Sequence, residues 1–163
     1  MQAIRSPTNH LLRVLPAAET EALRPHLEIV ELVRKTVLVE AGSPLTHVYL
    51  PHSGVISLMV SLSEGQTVDV AIVGRDSVVG ASAALDGGIW LTDGVVRLPG
   101  TASILGVADF RAAADRSVAL RTALMRHEQA LTAQAQQSAA CNASHSVEAR
   151  LSHWLLCARP DRE

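Results

Sequence analysis

The chain has 163 residues, enough for one domain with an extension. Its formal net charge of −2 argues against a surface that grips nucleic acid, which would be strongly basic. Apolar residues make up 48% of the sequence and aromatic residues only 2%, so the core must consist of branched aliphatic side chains and alanine. Two widely separated cysteines, Cys141 and Cys157, do not form a disulfide framework, and no apolar run is long enough to span a bilayer. We therefore expect a reduced, cytoplasmic protein without a membrane partner.

Two short helices are predicted at the start, over residues 9–15 and 17–27, because Pro16 ends the first. Their leucines are spaced to form one apolar stripe: Leu11, Leu15, Leu23 and Leu27. This pair is expected to cover one end of the domain that follows.

A run of short strands comes next, rich in β-branched residues and separated by Gly and Pro turns. The predicted strands are 29–33, 37–40, 48–50, 55–62, 67–73, 94–98 and 102–105. A hairpin turn at Glu64-Gly65-Gln66 and clean alternation over 67–73 support antiparallel pairing. We predict an α+β fold built on an antiparallel β-roll, a double-stranded β-helix of the jelly-roll type. Residues 74–80 are expected to form a loop, followed by one helical turn over 81–85.

The last third of the chain is predicted to be helical. Asp109 is expected to cap a short helix that ends at Ala114, and Ser117 to start a long one over 117–143. Polar residues at 142–146 predict a break before a final helix over 147–158.

The long helix carries a heptad pattern, with its strongest apolar positions at Leu120, Leu124, His127 and Leu131. At this length it would extend for close to 40 Å, which overhangs a compact β domain. Two interpretations are open: the helix packs along its own β-roll, or it forms a two-fold contact with a second copy. We favour the second interpretation and predict a homodimer through these four residues.

Several motifs, in order, resemble those of the Crp/Fnr family of bacterial transcription regulators. They are Val48-Tyr49-Leu50 with Ser53-Gly54-Val55-Ile56, then Gly74-Arg75-Asp76-Ser77-Val78-Val79-Gly80, then Ala149-Arg150-Leu151-Ser152-His153-Trp154-Leu155-Leu156. The resemblance implies a β-roll sensor over 1–116, a dimerisation helix over 117–145 and the first helix of a DNA-binding domain over 146–163. It also implies that a signal in the roll changes how two long helices lie together. DNA would be bound only through a winged helix that this chain does not contain.

The sequence departs from the nucleotide-binding members of that family. Those members hold the ribose with a Gly-Glu pair and the cyclic phosphate with an Arg-Ser or Arg-Thr pair. Here Gly80 is followed by Ala81-Ser82, and Trp90-Leu91-Thr92 offers Trp where Arg is expected. We therefore expect an effector other than cyclic AMP or cyclic GMP. A pocket for it is predicted between segment 74–92 and the polar half of the long helix, lined by Gly80, Ala81, Ser82, Trp90, Thr92, Arg126, Thr132 and Gln136.

Other kinds of chemistry have weaker support. His47 and His52 lack the close spacing and following Glu of a cupin-type metal site, and two cysteines cannot hold an iron–sulfur cluster. Haem or thiol-redox sensing by His127, Cys141 or His145 stays open. No catalytic motif, metal site or cofactor is predicted. The alternatives to a regulator are a stand-alone ligand-binding or protein-interaction module and a cupin-like metalloenzyme.

Overall fold

The computed structural model describes residues 9–87 and 89–157 of the chain. Its helices are α1 (His10–Arg13), α2 (Ala17–Leu23), α3 (Ala81–Asp86), α4 (Val107–Arg116), α5 (Val118–Ser144) and α6 (Val147–Cys157), and a 3-10 turn spans Arg24–His26. Its strands are β1 (Glu28–Leu32), β2 (Val37–Val39), β3 (His47–Pro51), β4 (Val55–Ser61), β5 (Thr67–Val73), β6 (Asp93–Leu98) and β7 (Gly100–Gly106).

The strands form two antiparallel sheets. One sheet has the order β1-β7-β3 and the other the order β2-β6-β4-β5. Strands that are neighbours in a sheet are often distant in sequence, as expected of a β-roll and not of a simple meander. The predicted α+β fold with an antiparallel β-roll, short N-terminal helices and a long C-terminal helix is therefore confirmed.

The core between the sheets follows from the two-residue period of the strands. Ile56 and Leu58 on β4 point to the same side as Val73 on β5 and Val96 on β6, because these residues are register partners. All four are buried, and they pack with Leu32 of the opposite sheet. Burial of such side chains stabilises the fold by about 1.5–3 kcal/mol each.

A second core joins the helices to one end of the roll. The predicted leucine stripe is confirmed, since Leu11, Leu15, Leu23 and Leu27 are all buried there. Asn9 is fully buried and caps α1, because its Oδ1 accepts the backbone N–H groups of Leu11 and Leu12. The Asn9 amide also donates to the carbonyl oxygens of Pro51 and Ser77, both at 2.9 Å, which ties α1 to the roll.

Several helix boundaries differ from the prediction, including the ends of α1 at Arg13 and of α4 at Arg116. Helix α2 ends at Leu23 and tightens into a 3-10 turn, since Pro25 lacks an N–H for the helical ladder. Helix α4 begins at Val107 and not at Asp109, because the N–H of Val107 donates to the carbonyl of Thr46 directly after β7. Helix α5 continues through the predicted break at residue 142 and ends at Ser144. The break itself shrinks to two residues.

The prediction for the dimer contact requires correction. Within this chain Leu120 and Leu124 are buried in the helical core, His127 is buried beside residue 78, and Leu131 packs against the inter-sheet core. The heptad stripe of α5 thus faces the chain's own fold, which was the less favoured interpretation. The physical reason is that α4 and β5, which pack against α5, offer this stripe an apolar surface.

Candidate sensor site

The loop before α3 is fixed from two sides. Val79 exchanges two backbone hydrogen bonds with Tyr49 of β3, at 2.9 and 3.0 Å. Gly80 follows with φ +95°, a backbone conformation that favours glycine, and a Cβ there would also displace the Leu45 side chain, which lies 2.6 Å away. Helix α3 therefore begins at a fixed position. Its Ala81 is buried in the core and its Ser82 is exposed.

Trp90 occupies the interior of the roll. Its backbone is joined to the turn before β3, since Gly42 donates to its carbonyl at 2.7 Å and its own N–H donates to Ser43 at 3.3 Å. Its ring is buried within the inter-sheet core, and its Nε1 has no hydrogen-bond partner among the described residues. An apolar ring thus lies where the resemblance expects a phosphate-binding arginine, and Thr92 beside it is half-buried.

Arg97 is the nearest cation on the following strand, and it is already engaged. Its guanidinium donates to the Asp69 carboxylate at 3.0 Å and to Ser57 Oγ at 3.3 Å. Residues 81–93 contain no Arg or Lys. A buried phosphate requires cationic or backbone donors, so this part of the roll lacks the side chains of a cyclic-nucleotide phosphate site.

Helix α5 is attached to the roll by two side-chain hydrogen bonds. Nε2 of His127 accepts the backbone N–H of Val78 at 3.1 Å, two residues before Gly80. Oε1 of Gln134 accepts the backbone N–H of Ile72 on β5 at 3.1 Å. The long helix is therefore hydrogen-bonded both to β5 and to the loop that leads to α3.

Two cavities flank Gln134. One, of about 530 Å³, lies between α1, segment 72–77 and the first half of α5, and Arg126 and His127 are among its lining residues. The other, of about 570 Å³, lies between β5, the second half of α5 and α6, and contains Asp69 and Arg150. Both volumes are in the range of small-molecule sites.

The structure does not bring the eight predicted pocket residues together, which corrects that prediction. Arg126 lines the cavity beside α1, whereas Trp90 lines a separate cavity of about 240 Å³ near β2 and β3. Thr132 and Gln136 are exposed, and the Thr132 hydroxyl donates to the carbonyl of Glu128 on its own helix.

Sequence reasoning missed Gln134 as a contact to the roll. The signal available was a polar residue at a heptad position, which requires a hydrogen-bond partner when the stripe is covered.

The histidine and cysteine side chains that the structure describes show no metal-site geometry. Nε2 of His52 lies 2.8 Å from Ser103 Oγ, and burial lowers the pKa of this imidazole below its usual value. Among the residues described, no group of three or more His, Cys, Asp or Glu side chains could hold a metal ion. Cys141 is buried and its Sγ accepts a hydrogen bond from Gln137, whereas the Cys157 side chain lies outside the described part. Within residues 9–87 and 89–157, no helix combines the length and apolarity needed to cross a bilayer.

Residues 29–117, more than half of the chain, match the family model of the cyclic nucleotide-binding domain. A comparison with curated proteins gave no significant match.

Solved structures with the same fold include regulators of two kinds. The c-di-GMP responsive global regulator CLP of Xanthomonas campestris superposes with a TM-score of 0.70 at 14% identity, covering 86% of this chain and 70% of that one. The N-terminal domain of a transcriptional regulator from Streptomyces coelicolor A3(2) gives 0.60 at 21% identity, covering 81% and 93%. The regulatory domain of Toxoplasma gondii PKA, solved with cyclic AMP, gives 0.59 at 18% identity, covering 66% of this chain. The present chain spans only 43% of that domain.

Proposed function

Because the chain belongs to the cyclic nucleotide-binding domain family, we propose that it is the sensor portion of a bacterial transcription regulator of the Crp/Fnr type. The observation that carries this proposal is the attachment of α5 to the roll at His127–Val78 and Gln134–Ile72. A change in the roll is thereby transmitted to a helix of 27 residues. The similarity in fold to transcription regulators from Streptomyces coelicolor and Xanthomonas campestris supports this assignment.

The effector in this proposal is not a cyclic mononucleotide held by its phosphate. Three observations argue against phosphate binding beside α3. The ring of Trp90 is buried in the core, the guanidinium of Arg97 is paired with Asp69, and residues 81–93 contain no Arg or Lys. We expect neither cyclic AMP nor cyclic GMP to stabilise the protein in a thermal-shift titration at millimolar ligand. A native-state ligand at about 100 times its dissociation constant would stabilise by about 2.7 kcal/mol. A rise of several degrees with either nucleotide would contradict this part of the proposal.

The proposed regulator is a homodimer. Because the heptad stripe of α5 is covered by the chain's own fold, we place the dimer contact on the opposite, solvent-exposed face of this helix. This outer face is exposed and carries uncharged residues from Thr122 to Ala143, with Arg121 at its edge: Thr122, Met125, Gln129, Thr132, Gln136, Ala139 and Ala143. The small Thr and Ala side chains on this face allow two helices to approach closely, and a charge placed among them would lie against the same charge of the second copy. The signal would then alter how the two α5 helices lie together, which is a rigid-body switch.

The proposed division places the sensor at 1–116, the dimerisation helix at 117–145 and the start of a DNA-binding domain at 146–163. Contact with DNA would require a winged helix beyond residue 163, and the site of action would be the cytoplasm. The charge of −2 supports a role for this chain in sensing and not in gripping DNA.

Sedimentation mass tests the dimer with a matched pair of double variants. Met125→Glu with Gln136→Glu places two charges on the outer face and is expected to give monomers at tens of micromolar. Leu62→Glu with Gln66→Glu places the same two charges on the exposed β4–β5 hairpin and is expected to leave the dimer intact. A monomeric wild type, or a dimer unaffected by the first pair, would rule out this contact.

A further inference from the structure

The cavity beside α1 has more unused hydrogen-bond donors than acceptors. Gln134 uses its Oε1 for the N–H of Ile72, and this fixes the orientation of its amide. The two N–H bonds of that amide have no partner among the described residues. Arg126, exposed on the same wall, forms no ion pair or hydrogen bond within the part of the chain that the structure describes. An arginine contributes five N–H donors in a fixed fork, suited to a carboxylate.

The acidic groups near this cavity do not occupy its unused hydrogen-bond donors. Asp76 is exposed at the rim and accepts a hydrogen bond from Ser77 Oγ at 3.4 Å. Glu128 projects from α5 with its Oε1 3.7 Å from Nδ1 of His127. His127 must carry its proton on Nδ1, because Nε2 accepts from Val78. This buried N–H has no hydrogen-bond partner among the described residues, and the Glu128 carboxylate lies 3.7 Å from its nitrogen.

Most of the remaining lining is apolar, and its polar members are His10 and Ser77. Leu11 of α1, Val14 directly after that helix, Ile72 of β5, and Ala130 and Leu131 of α5 surround the polar groups. An apolar wall with donors gathered on one side suits a molecule with an apolar body and an acceptor-rich end.

We propose that this cavity binds a small amphipathic carboxylate, with its carboxylate on Arg126 and the Gln134 amide. This inference deepens the proposed function, because it names the chemical class and the place of the effector. The occupied site would adjoin both attachments of α5, since Gln134 and His127 line the same cavity. A ligand that moves either side chain changes how α5 is held on the roll, and so carries the signal to the helix.

The test uses three probes of matched shape: octanoate, octanol and octylammonium. Octanoate is expected to bind, and octylammonium to bind at least tenfold more weakly, in titrations followed by backbone amide NMR. The amide signals of Ile72 and Val78 are expected to shift with octanoate. A charge-assisted hydrogen bond of about 1.5–3 kcal/mol corresponds to about 10–150-fold in affinity, so Arg126→Gln is expected to weaken octanoate binding by at least tenfold.

Arg121→Gln is the control, because Arg121 is exposed on the same helix, outside the lining, and bonds the carbonyl of Asp115. It is expected to leave octanoate affinity unchanged. No octanoate binding, equal binding of all three probes, or equal effects of the two arginine variants would overturn the proposal. The sedimentation mass of the unliganded protein is independent of these titrations. A failed carboxylate site with an intact dimer would therefore leave the proposed function standing.

Discussion

Val78 donates its backbone N–H to Nε2 of His127 across 3.1 Å, and both residues are buried. This single bond joins the middle of α5 to the loop that positions α3, and it fixes the ring as the Nδ1–H tautomer. Loss of the acceptor would leave a buried N–H without a partner, which costs about 1–3 kcal/mol.

His127→Phe is therefore expected to lower the free energy of unfolding by that amount in urea titrations. His127→Gln is expected to cost less, because its Oε1 can still accept from Val78. Hydrogen exchange at the Val78 amide should accelerate in the Phe variant and much less in the Gln variant. Equal losses in the two variants would mean that packing alone, and not the hydrogen bond, holds this position.

Adjacent residues on α5 test which face of the helix is covered. Leu124 is fully buried in the chain's own core, whereas Met125 is 66% exposed. Leu124→Ala is expected to destabilise the fold by about 2–5 kcal/mol, and Met125→Ala by less than about 0.5 kcal/mol in protein dilute enough to be monomeric. The loss at Leu124 should not depend on protein concentration, since its contacts lie within one chain. A concentration-dependent loss in thermal melts would restore Leu124 to the dimer contact.

Two glycines separate backbone strain from steric conflict. Gly42 and Gly54 both have φ +81°, but a Cβ at Gly54 would lie 2.7 Å from the Leu98 carbonyl oxygen, and one at Gly42 would meet nothing within 4 Å. Gly42→Ala is expected to cost about 1–2 kcal/mol, the usual penalty of the left-handed region. Gly54→Ala carries that penalty and the clash, so its midpoint in urea should fall further. Similar losses of stability in the two variants would show that the backbone at Leu98 moves at little cost to make room for the Cβ.

His52 makes stability depend on pH. Burial lowers the pKa of its imidazole below the ordinary 6.5 of the unfolded chain, so the unfolded state binds a proton more readily. The contribution is fully present above about pH 6.5 and is lost as the pH falls from there toward the folded pKa. Wild type is expected to lose more stability between pH 7.5 and pH 5.5 than His52→Gln, in melts at both pH values. A parallel decline in the two proteins would remove His52 as the cause.

The periodic features of the sequence were sufficient to predict the main elements. β-branched runs and glycine turns predicted the roll, the leucine spacing predicted the buried face of α1 and α2, and Ser117 was correctly expected to start the long helix. Each of these depends on neighbours within a few turns of chain, where local sequence determines the outcome.

The partners of those elements were harder to predict. The heptad positions of α5 show that one face is apolar, but an apolar face packs equally well on a second copy or on the chain's own roll. Leu120 and Leu124 were assigned to the wrong surface for this reason. The pocket prediction failed similarly, because the sequence does not show that Arg126 and Trp90 line separate cavities and that Gln136 lines neither of them.

Ile72 lies on β5, the outermost strand of its sheet, and Gln134 satisfies its N–H as a further strand would. Open strand edges pair readily with other chains and so promote aggregation. Helix α5, which we propose relays the signal, therefore also covers this edge. A larger movement of α5 away from β5 would expose the unpaired backbone groups of this edge strand. The need to avoid aggregation therefore limits how far α5 can move.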